Sequence, residues 1–339
     1  MGTQMIVGLA QAMGAPCPTV VLDLSALPRD VPNLVTALAA VRRHLAAADL
    51  GHVLKIALAS PARDSDADLD YRFVQALPGD FTQFDFAGNC GHSILATVTV
   101  GATAGWIPPL DERRPVRVRL LNNGGLVQCT GASAGHRRWR FHVVEFVNRP
   151  PVPLTDLLLT GQPLDSVHYA GFSYRVSLVS MGNPYVFVSA AALGLPDRHA
   201  LFRVGDAGQQ QMLGIRQAAA HLLGWPPKST FPKVAAVGAS PDGHLFVRAV
   251  SVPTWHPTLA LTGASCLAAA VAIPGTIPNG LAARAGGRMS VFDVDTPGGQ
   301  TSVASAVSYQ RPGGELMSVS IGGKEVRLLS GLPLAAPSA

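Results

Sequence analysis

The chain has 339 residues, of which 48% are apolar and 14% are charged, and its formal net charge is +5 at pH 7. This length suffices for one large or two ordinary globular domains. The longest apolar run, residues 266–273, is far below the roughly 18 residues that a membrane-spanning helix needs. Because the first sixteen residues contain no Lys or Arg and the four cysteines are scattered, we expect a reducing, cytoplasmic setting and no membrane partner.

The positive charge consists almost entirely of arginine, since only four of the 26 basic residues are Lys. Arginines cluster at 113–119 and 137–140, where the sequence pattern is typical of the solvent face of antiparallel strands. No zinc-binding spacing, RNA-binding signature or basic tail accompanies them, so nucleic acid is not an expected partner. A small anionic substrate is compatible with this charge.

Three pairs of similar segments recur in the same order, which indicates an internal duplication. Met-Gly-Ala-Pro at 13–16 is matched by Met-Gly-Asn-Pro at 181–184, 168 residues later. The segment from Lys55 is matched at Lys233, and Cys90 in its Gly-Asn-Cys-Gly turn is matched by Cys266, at offsets of 178 and 176 residues. We therefore predict two similar halves, 1–150 and 165–339, joined by a proline-rich segment at 148–163 that is not expected to continue a central strand or a helix.

In chain order, each half is predicted to contain strands, a helix, a strand pair, a Cys-bearing helix and hairpins. Ala- and Leu-rich segments predict helices at 33–48 and 209–223. The Cys-bearing helices follow the turn at 88–91 and the capping stretch at 262–265. Gly-rich turns predict hairpins, at 122–125, 297–299, 313–314 and 322–323. Helices packed on twisted, mostly antiparallel sheets give an α+β class.

Cys90 is a candidate for chemistry because it lies where the predicted helix begins. A thiol there is at the positive end of the helix dipole, beside backbone N–H groups that also bind carboxylates. The alternative is a small buried apolar residue, as free cysteines often are. We favour that alternative for Cys129, weigh both equally for Cys266 and leave Cys17, between two prolines, undecided.

Lys55 lies in an apolar run at 52–58 and is one of only four lysines, with Lys228, Lys233 and Lys324. A strand buried on both faces would remove water from its ammonium and make the amine a usable base. The alternative, which periodicity alone favours, is a half-exposed strand on which the Lys stem covers apolar surface. Lys233 is predicted to be a structural residue at a strand start.

These motifs resemble the family of 2-methylaconitate isomerase (PrpF), 4-oxalomesaconate tautomerase and methylitaconate isomerase, which has the diaminopimelate-epimerase-like fold. The most specific parts are the Gly-Asn-Cys-Gly turn at 88–91 and the stretch from Val-Arg-Ala at 247–249 to Ile-Pro-Gly-Thr at 273–276. The likeness runs from about residue 13 to about residue 308. It implies two pseudo-repeated domains, each a twisted sheet around a central helix, with an active-site cleft between them.

The resemblance also implies a cofactor-independent, metal-free isomerase that moves a proton on an unsaturated carboxylic acid or between keto and enol forms. Lys55 and Cys90 would be the acid/base pair, and Cys266 would face Cys90 across the cleft. A monomer and a homodimer fit equally well. Substrate-binding residues would be Gly88, Asn89, Gly91 and His92 in the first half and Met181, Asn183, Thr262, Gly263, Ala264 and Ser265 in the second.

The chain departs from the family pattern in segments that are implied to bind extra carboxylates. Residues 11–17 replace an Arg-Gly-Gly-Thr-Ser-Lys loop, residues 49–54 replace a Ser/Thr-rich stretch, and His92 replaces an Asn. We expect a site role for His92, with a surface helix position as the alternative. Two other functions remain open: a two-base epimerase or racemase that uses Cys90 and Cys266, and a non-catalytic ligand-binding protein of the same fold.

Overall fold

The computed structural model describes residues 5–226, 231–251, 254–284 and 290–330, so that Lys228 lies outside the described residues. The chain divides into two compact units. The first unit comprises Met1–Glu145 and Gly323–Ala339, and the second comprises Phe146–Gly322. The border between them falls inside a strand rather than in a linker.

Among its described residues the first unit has two helices and seven strands of its own. These are α1 (Val31–Ala47), α2 (Gly91–Thr103), β1 (Ile6–Ala12), β2 (Thr19–Asp23), β3 (Lys55–Pro61), β4 (Leu69–Ala76), β5 (Phe84–Asp85), β6 (Val116–Leu120) and β7 (Leu126–Ser133). Strand β8 (Arg138–Pro153) begins in this unit and ends in the second.

The second unit has four helices among its described residues. They are α3 (Arg198–Arg203), α4 (Asp206–Leu222), α5 (Leu261–Ala272) and α6 (Ile277–Arg284). Its strands are β9 (Asp165–Tyr169), β10 (Phe172–Met181), β11 (Asn183–Ser189), β12 (Lys233–Ala239), β13 (Leu245–Ser251), β14 (Thr254–Trp255), β15 (Val291–Thr296), β16 (Gly299–Ser308) and the first part of β17 (Glu315–Ser330). Within the described ranges no single helix is long and apolar enough to span a membrane, and α5 and α6 reach that limit only together, across a 75° bend.

The two sheets repeat the same pattern of strand directions. In the first unit the order is β17–β1–β2–β3–β4–β6–β7, with β2–β3 and β4–β6 parallel and the other pairs antiparallel. In the second unit the order is β9–β10–β11–β12–β13–β15–β16–β17, with β11–β12 and β13–β15 parallel. The predicted α+β class and the internal duplication are therefore confirmed.

Helices α2 and α5 occupy the centres of their units. Residues 91–101 of α2 and all twelve residues of α5 are buried, as expected for helices that are apolar all round. The outer helix α1 is instead amphipathic, with Leu34, Leu38 and Leu45 on its buried face. The helices predicted at 33–48 and 209–223 correspond to α1 and α4, with ends that differ by at most three residues.

The repeated Met-Gly motifs form equivalent tight turns. Gly14 lies between β1 and β2 with a φ of +81°, and Gly182 lies between β10 and β11 with a φ of +79°. Both values fall in the left-handed region that glycine adopts without strain. The hairpins predicted at 122–125, 297–299 and 313–314 also lie at turns between consecutive strands.

One predicted hairpin is wrong, and the proline-rich segment forms the end of a strand. The proline-rich segment 149–153 continues β8, because it lies at an exposed end of the strand where a missing N–H costs little. The hairpin predicted at 322–323 is absent from the described chain, because β17 pairs with β16 up to Ile321 and then with β1 from Val326. Gly323, with a φ of +67°, bends the strand without reversing it. Because β17 pairs with strands of both units, the segment from Gly323 onward belongs to the first unit, whereas the sequence predicted all of 165–339 in the second.

Candidate active site

Lys55 is the first residue of β3, and its side chain is only 6% exposed. The four residues that follow it are also buried, so the strand is covered on both faces and the half-exposed alternative is wrong. The ammonium forms no hydrogen bond or ion pair with any other residue in the described part of the chain. Lysine is rarely buried to this extent unless it is paired, so this placement makes Lys55 a candidate for ligand binding or catalysis.

The register of the sheet places Lys55 on the same face as α2. Lys55 pairs with Thr19 of β2, and side chains of paired residues on neighbouring strands point to the same face. The Thr19 hydroxyl lies 2.9 Å from the hydroxyl of Ser93, the third residue of α2. Lys55 therefore projects toward the side of the sheet on which the N-terminal turn of α2 is anchored.

Cys90 is the N-cap residue of α2 and is 9% exposed. Its carbonyl accepts hydrogen bonds from the backbone N–H of Ile94 at 3.0 Å and from the Tyr71 hydroxyl at 3.2 Å. Its side chain caps no backbone N–H of the helix. Cys90 is thus held at the start of α2, in the same turn as Ser93, whose hydroxyl meets Thr19 of the sheet.

Tyr71 holds the Cys90 turn from the sheet below. It is fully buried on β4, and burial raises the pKa of its hydroxyl well above 10, with a smaller contribution from the neighbouring Cys90. The hydroxyl therefore stays protonated and remains a hydrogen-bond donor. Sequence patterns did not indicate Tyr71, Thr19 or Ser93 as site residues, because each reads as an ordinary strand or helix position.

The loop that leads into the Gly-Asn-Cys-Gly turn is fixed by Asn122. Its side chain accepts a hydrogen bond from the Phe73 N–H at 2.8 Å and donates to the carbonyls of Phe73 and Phe86 at 3.1 and 2.7 Å. Phe86 precedes Gly88 by two residues, so this clamp orders the approach to the turn. The sequence predicted only a hairpin at Asn122 and gave no signal for its second role.

The predicted binding residues of the first half are brought together at the start of α2. Gly88, Asn89 and Gly91 are all buried around Cys90. His92 is 1% exposed, so the alternative of a surface helix position is wrong. The first N–H groups of a helix have no intrahelical partner, and they point out of its N-terminus. This end of α2 thus combines anion-binding backbone groups with a thiol, and Lys55 lies on the sheet face to which the helix start is bonded.

The predicted residues of the second half also come together, but they bond largely to one another. Asn183 donates to the Thr262 hydroxyl at 3.1 Å, and the Ser265 hydroxyl donates to the carbonyls of Thr262 and Met181 at 2.9 and 3.3 Å. Gly263 lies directly against Tyr185, whose hydroxyl would be 2.6 Å from a Cβ at that position. Ala264 is buried beside them, so these side chains close the end of α5.

Cys266 differs from Cys90 in position and surroundings. It is the sixth residue of α5, fully buried, and its thiol donates to the Val179 carbonyl at 3.2 Å. Burial raises the pKa of this thiol to about 12. The N-cap of α5 is Ala260, so the structural counterpart of Cys90 is an alanine. The matching of Cys90 with Cys266, made from residue identity alone, does not hold in the structure.

The other residues that the sequence analysis considered occupy structural positions in the fold. Cys129 is buried on β7, as predicted, and burial raises the pKa of its thiol to about 12. Lys233 begins β12, as predicted, with its ammonium 5.1 Å from the centre of the Phe231 ring. The arginines around β6 pair with aspartates, since Arg117 contacts Asp68 at 3.3 Å and Arg119 contacts Asp70 at 2.7 Å.

Comparisons with known proteins agree with this architecture. A family model described as PrpF protein matches residues 142–331. The 4-oxalomesaconate tautomerase of Pseudomonas putida is 24% identical over 75% of this chain and 74% of its own. The 2-methyl-aconitate isomerase of Shewanella oneidensis is 27% identical over 70% of each chain.

Solved structures share the fold. The crystal structure of a methylitaconate-delta-isomerase superposes with a TM-score of 0.70 at 19% identity, over 96% of this chain and 94% of that one. A hydroxyproline epimerase from Agrobacterium vitis superposes with a TM-score of 0.58 at 18% identity, over 99% and 95% of the two chains. These likenesses confirm the predicted epimerase-like fold.

Proposed function

The chain belongs to the PrpF family. From this premise we propose that it is an isomerase that shifts a proton within an unsaturated carboxylic acid, with Lys55 and Cys90 as its acid/base pair. The observation that carries the proposal is the buried Lys55 side chain, which has no hydrogen bond or ion pair among the described residues and lies on the sheet face that anchors the N-terminus of α2. The relatives named above are isomerases and tautomerases, which agrees with this chemistry.

The reaction needs a base, an acid and a place for negative charge. One member of the pair removes a proton from an allylic carbon, and the C–H electron pair delocalises into the conjugated carboxylate. The other member delivers a proton to the far end of the allyl system, so the product is an isomer of the substrate. One proton passing between Lys55 and Cys90 then restores the starting state.

The N-terminus of α2 would stabilise the intermediate. The N–H groups of Gly91 and His92 lie in its first turn, at the positive end of the helix dipole. A substrate carboxylate bound there would gain stabilisation as negative charge develops on it. The Thr19–Ser93 and Tyr71–Cys90 hydrogen bonds keep this turn in place before substrate arrives. Preorganised general acid/base groups contribute about 10²- to 10⁴-fold each.

A two-base epimerase is less well supported. Such an enzyme would use Cys266 as its second base, but that thiol is fully buried and bonded to Val179, and its pKa is raised to about 12. A non-catalytic binding protein is also less well supported. Binding alone would be served by a charged group at the surface and does not require a lysine side chain as covered as that of Lys55.

The experiment is solvent deuterium exchange in D₂O over a panel of unsaturated di- and tricarboxylates, followed by NMR. We expect enzyme-dependent deuterium at an allylic carbon, and we expect Lys55→Met to lower its rate at least about 100-fold. Lys233→Met is the matched control, because Lys233 occupies the corresponding strand start of the second unit. Full activity in a folded Lys55→Met variant would show that the mechanism is wrong, and no exchange across the panel would count against the function.

A further inference from the structure

A row of polar side chains crosses the sheet of the first unit at the level of Lys55. Thr19 of β2 pairs with Lys55, and Lys55 pairs with Gln75 of β4. Gln75 in turn pairs with Asp85 of β5, whose carboxylate accepts a hydrogen bond from the Ala87 N–H at 2.8 Å. Side chains of paired residues point to the same face, so these four lie on the face that α2 contacts. The proposed mechanism assigns no role to Gln75, although it is the direct neighbour of Lys55.

Lys55 and Gln75 form the closer of the two kinds of antiparallel pair. The Ala76 N–H donates to the Leu54 carbonyl at 2.9 Å, so the backbone hydrogen bonds flank this pair instead of joining its two members. In such a pair the Cα atoms are about 4.5 Å apart and the side chains lie closest. The lysine ammonium is carried on a flexible four-carbon stem. It can therefore reach the Gln75 carboxamide without movement of either strand.

Two backbone carbonyls fix the Gln75 side chain. Its Nε2 donates to the carbonyls of Leu54 and Ala76, each at 3.0 Å. These bonds use both hydrogens of the amide nitrogen and hold the orientation of the carboxamide. Because Leu54 directly precedes Lys55, the same contact also fixes the backbone from which the Lys55 side chain starts.

The carboxamide oxygen of Gln75 is still available as an acceptor. It accepts no hydrogen bond from any residue within the described ranges, and Gln75 is half-buried. An amide oxygen is neutral, so it can orient an ammonium without the strong preference for the charged form that a carboxylate would impose. This property is favourable for a lysine that takes up and releases a proton in every turnover.

Gln11 forms the same kind of clamp on the opposite face of the sheet. Its Nε2 donates to the carbonyls of Ala12 and Ala15 at 2.9 Å. Ala10 pairs with Thr19, and side chains alternate along β1, so Gln11 points away from the face that carries Lys55. Gln11 is therefore the matched control for Gln75, since it has the same donor contacts but lies away from Lys55.

We propose that Gln75 positions Lys55 for the proton shift. Its nitrogen fixes Leu54, and its oxygen accepts a hydrogen bond from the Lys55 ammonium while that group carries the transferred proton. Gln75 acts through Lys55 and is thus a positioning residue. This assignment rests on the proposed function for the role of Lys55.

The first test measures Lys55 directly and needs no substrate. When the lysines are labelled with ¹³C at Cε, the NMR shift of each Cε reports protonation of its amine. The chain has only four lysines, and Lys55→Met assigns the Lys55 signal. Gln75→Glu places a carboxylate beside the ammonium, which should move the Lys55 titration to higher pH by about 1 unit or more. Gln11→Glu should leave that titration as in wild type. All of these variants keep the other titratable groups on this face and at the start of α2, which are Tyr71, Asp85, Cys90 and His92.

The second test uses turnover, measured as deuterium exchange of trans-aconitate in D₂O. Gln75→Met should lower kcat about 10- to 100-fold, the loss expected for one hydrogen bond to a charged group. KM should stay close to that of wild type, because Gln75 contacts Lys55 rather than the substrate. A general structural defect would not produce this separation of kcat from KM together with a shifted Lys55 titration.

An equal Lys55 titration in Gln75→Glu and Gln11→Glu would overturn the proposal, as would a wild-type kcat in folded Gln75→Met. If Gln75→Met does not fold, the titration of Gln75→Glu, which keeps the size of the side chain, decides the question. A shifted titration in a protein that exchanges no acid of the panel would support the pairing of Gln75 with Lys55 while rejecting the proposed reaction, so the two failures are distinguishable.

Discussion

Replacing Cys266 by alanine separates the one-site isomerase from a two-cysteine epimerase. With a thiol pKa of about 12, deprotonation at pH 7.5 costs about 6 kcal/mol, and only about 3 in 10⁵ molecules carry the thiolate. A thiol that is so rarely deprotonated contributes nothing to a proton shift catalysed by Lys55 and Cys90. We therefore expect Cys266→Ala to retain exchange activity within a few-fold of wild type.

The same substitution has a predictable cost in stability. It removes the hydrogen bond to the Val179 carbonyl and a buried sulfur atom, so the free energy of unfolding in urea should fall by about 1 kcal/mol. Cys129→Ala is the matched control, because that thiol is equally buried and its pKa is also about 12. Cys90→Ala should lose about 10²- to 10⁴-fold in deuterium exchange. If folded Cys266→Ala were inactive while Cys129→Ala stayed active, Cys266 would be a catalytic base and our reasoning would be refuted.

Two further predictions concern the residues that hold the α2 N-terminus. Ser93→Ala leaves the buried Thr19 hydroxyl without this partner and should lower the free energy of unfolding in urea by about 1–3 kcal/mol. The Thr19→Val/Ser93→Ala double variant should lose less stability than the two single variants combined. Strict additivity of the two losses would contradict the coupling. Asn122→Leu breaks three hydrogen bonds to the backbone that order the loop before Gly88. It should lower the free energy of unfolding by about 2 kcal/mol or more and should also lower kcat/KM in the exchange assay. An unchanged kcat/KM in the folded variant would show that Asn122 does not position the site.

Local patterns in the sequence predicted the elements whose structure is decided locally. The Ala- and Leu-rich segments became α1 and α4, and the Met-Gly motifs became turns because only a glycine fits their positive φ without strain. The burial of Lys55 was not predictable in this way. A continuous apolar run does not distinguish a strand covered on both faces from one covered on a single face, and the answer depends on α2 packing over β3.

The errors of prediction have a common physical origin in long-range pairing. Gly323 resembles a hairpin residue, but β17 finds a second partner in β1 beyond it and continues. Cys90 and Cys266 are the same residue type in similar segments, yet α2 begins directly after Cys90, whereas Cys266 is the sixth residue of α5. Thr19 and Tyr71 become site candidates only through strand register and contacts with the start of α2, which the sequence does not specify by residue type.

The two units have the same pattern of strand directions but differ at the N-termini of α2 and α5, and this difference affects the chemistry that each can support. In the second unit Tyr185 lies against Gly263, Asn183 bonds to Thr262, and the N-cap is Ala260, so the polar groups there satisfy one another and no ionisable side chain occupies the cap. In the first unit the cap is Cys90, and a lysine without a partner in the described chain lies on the adjoining sheet face. A racemase needs two matched bases, one for each face of its substrate, whereas a proton shift along an allylic system needs a single acid/base set. The unequal ends of α2 and α5 therefore favour the isomerase over the racemase, although the two chemistries occur on the same fold.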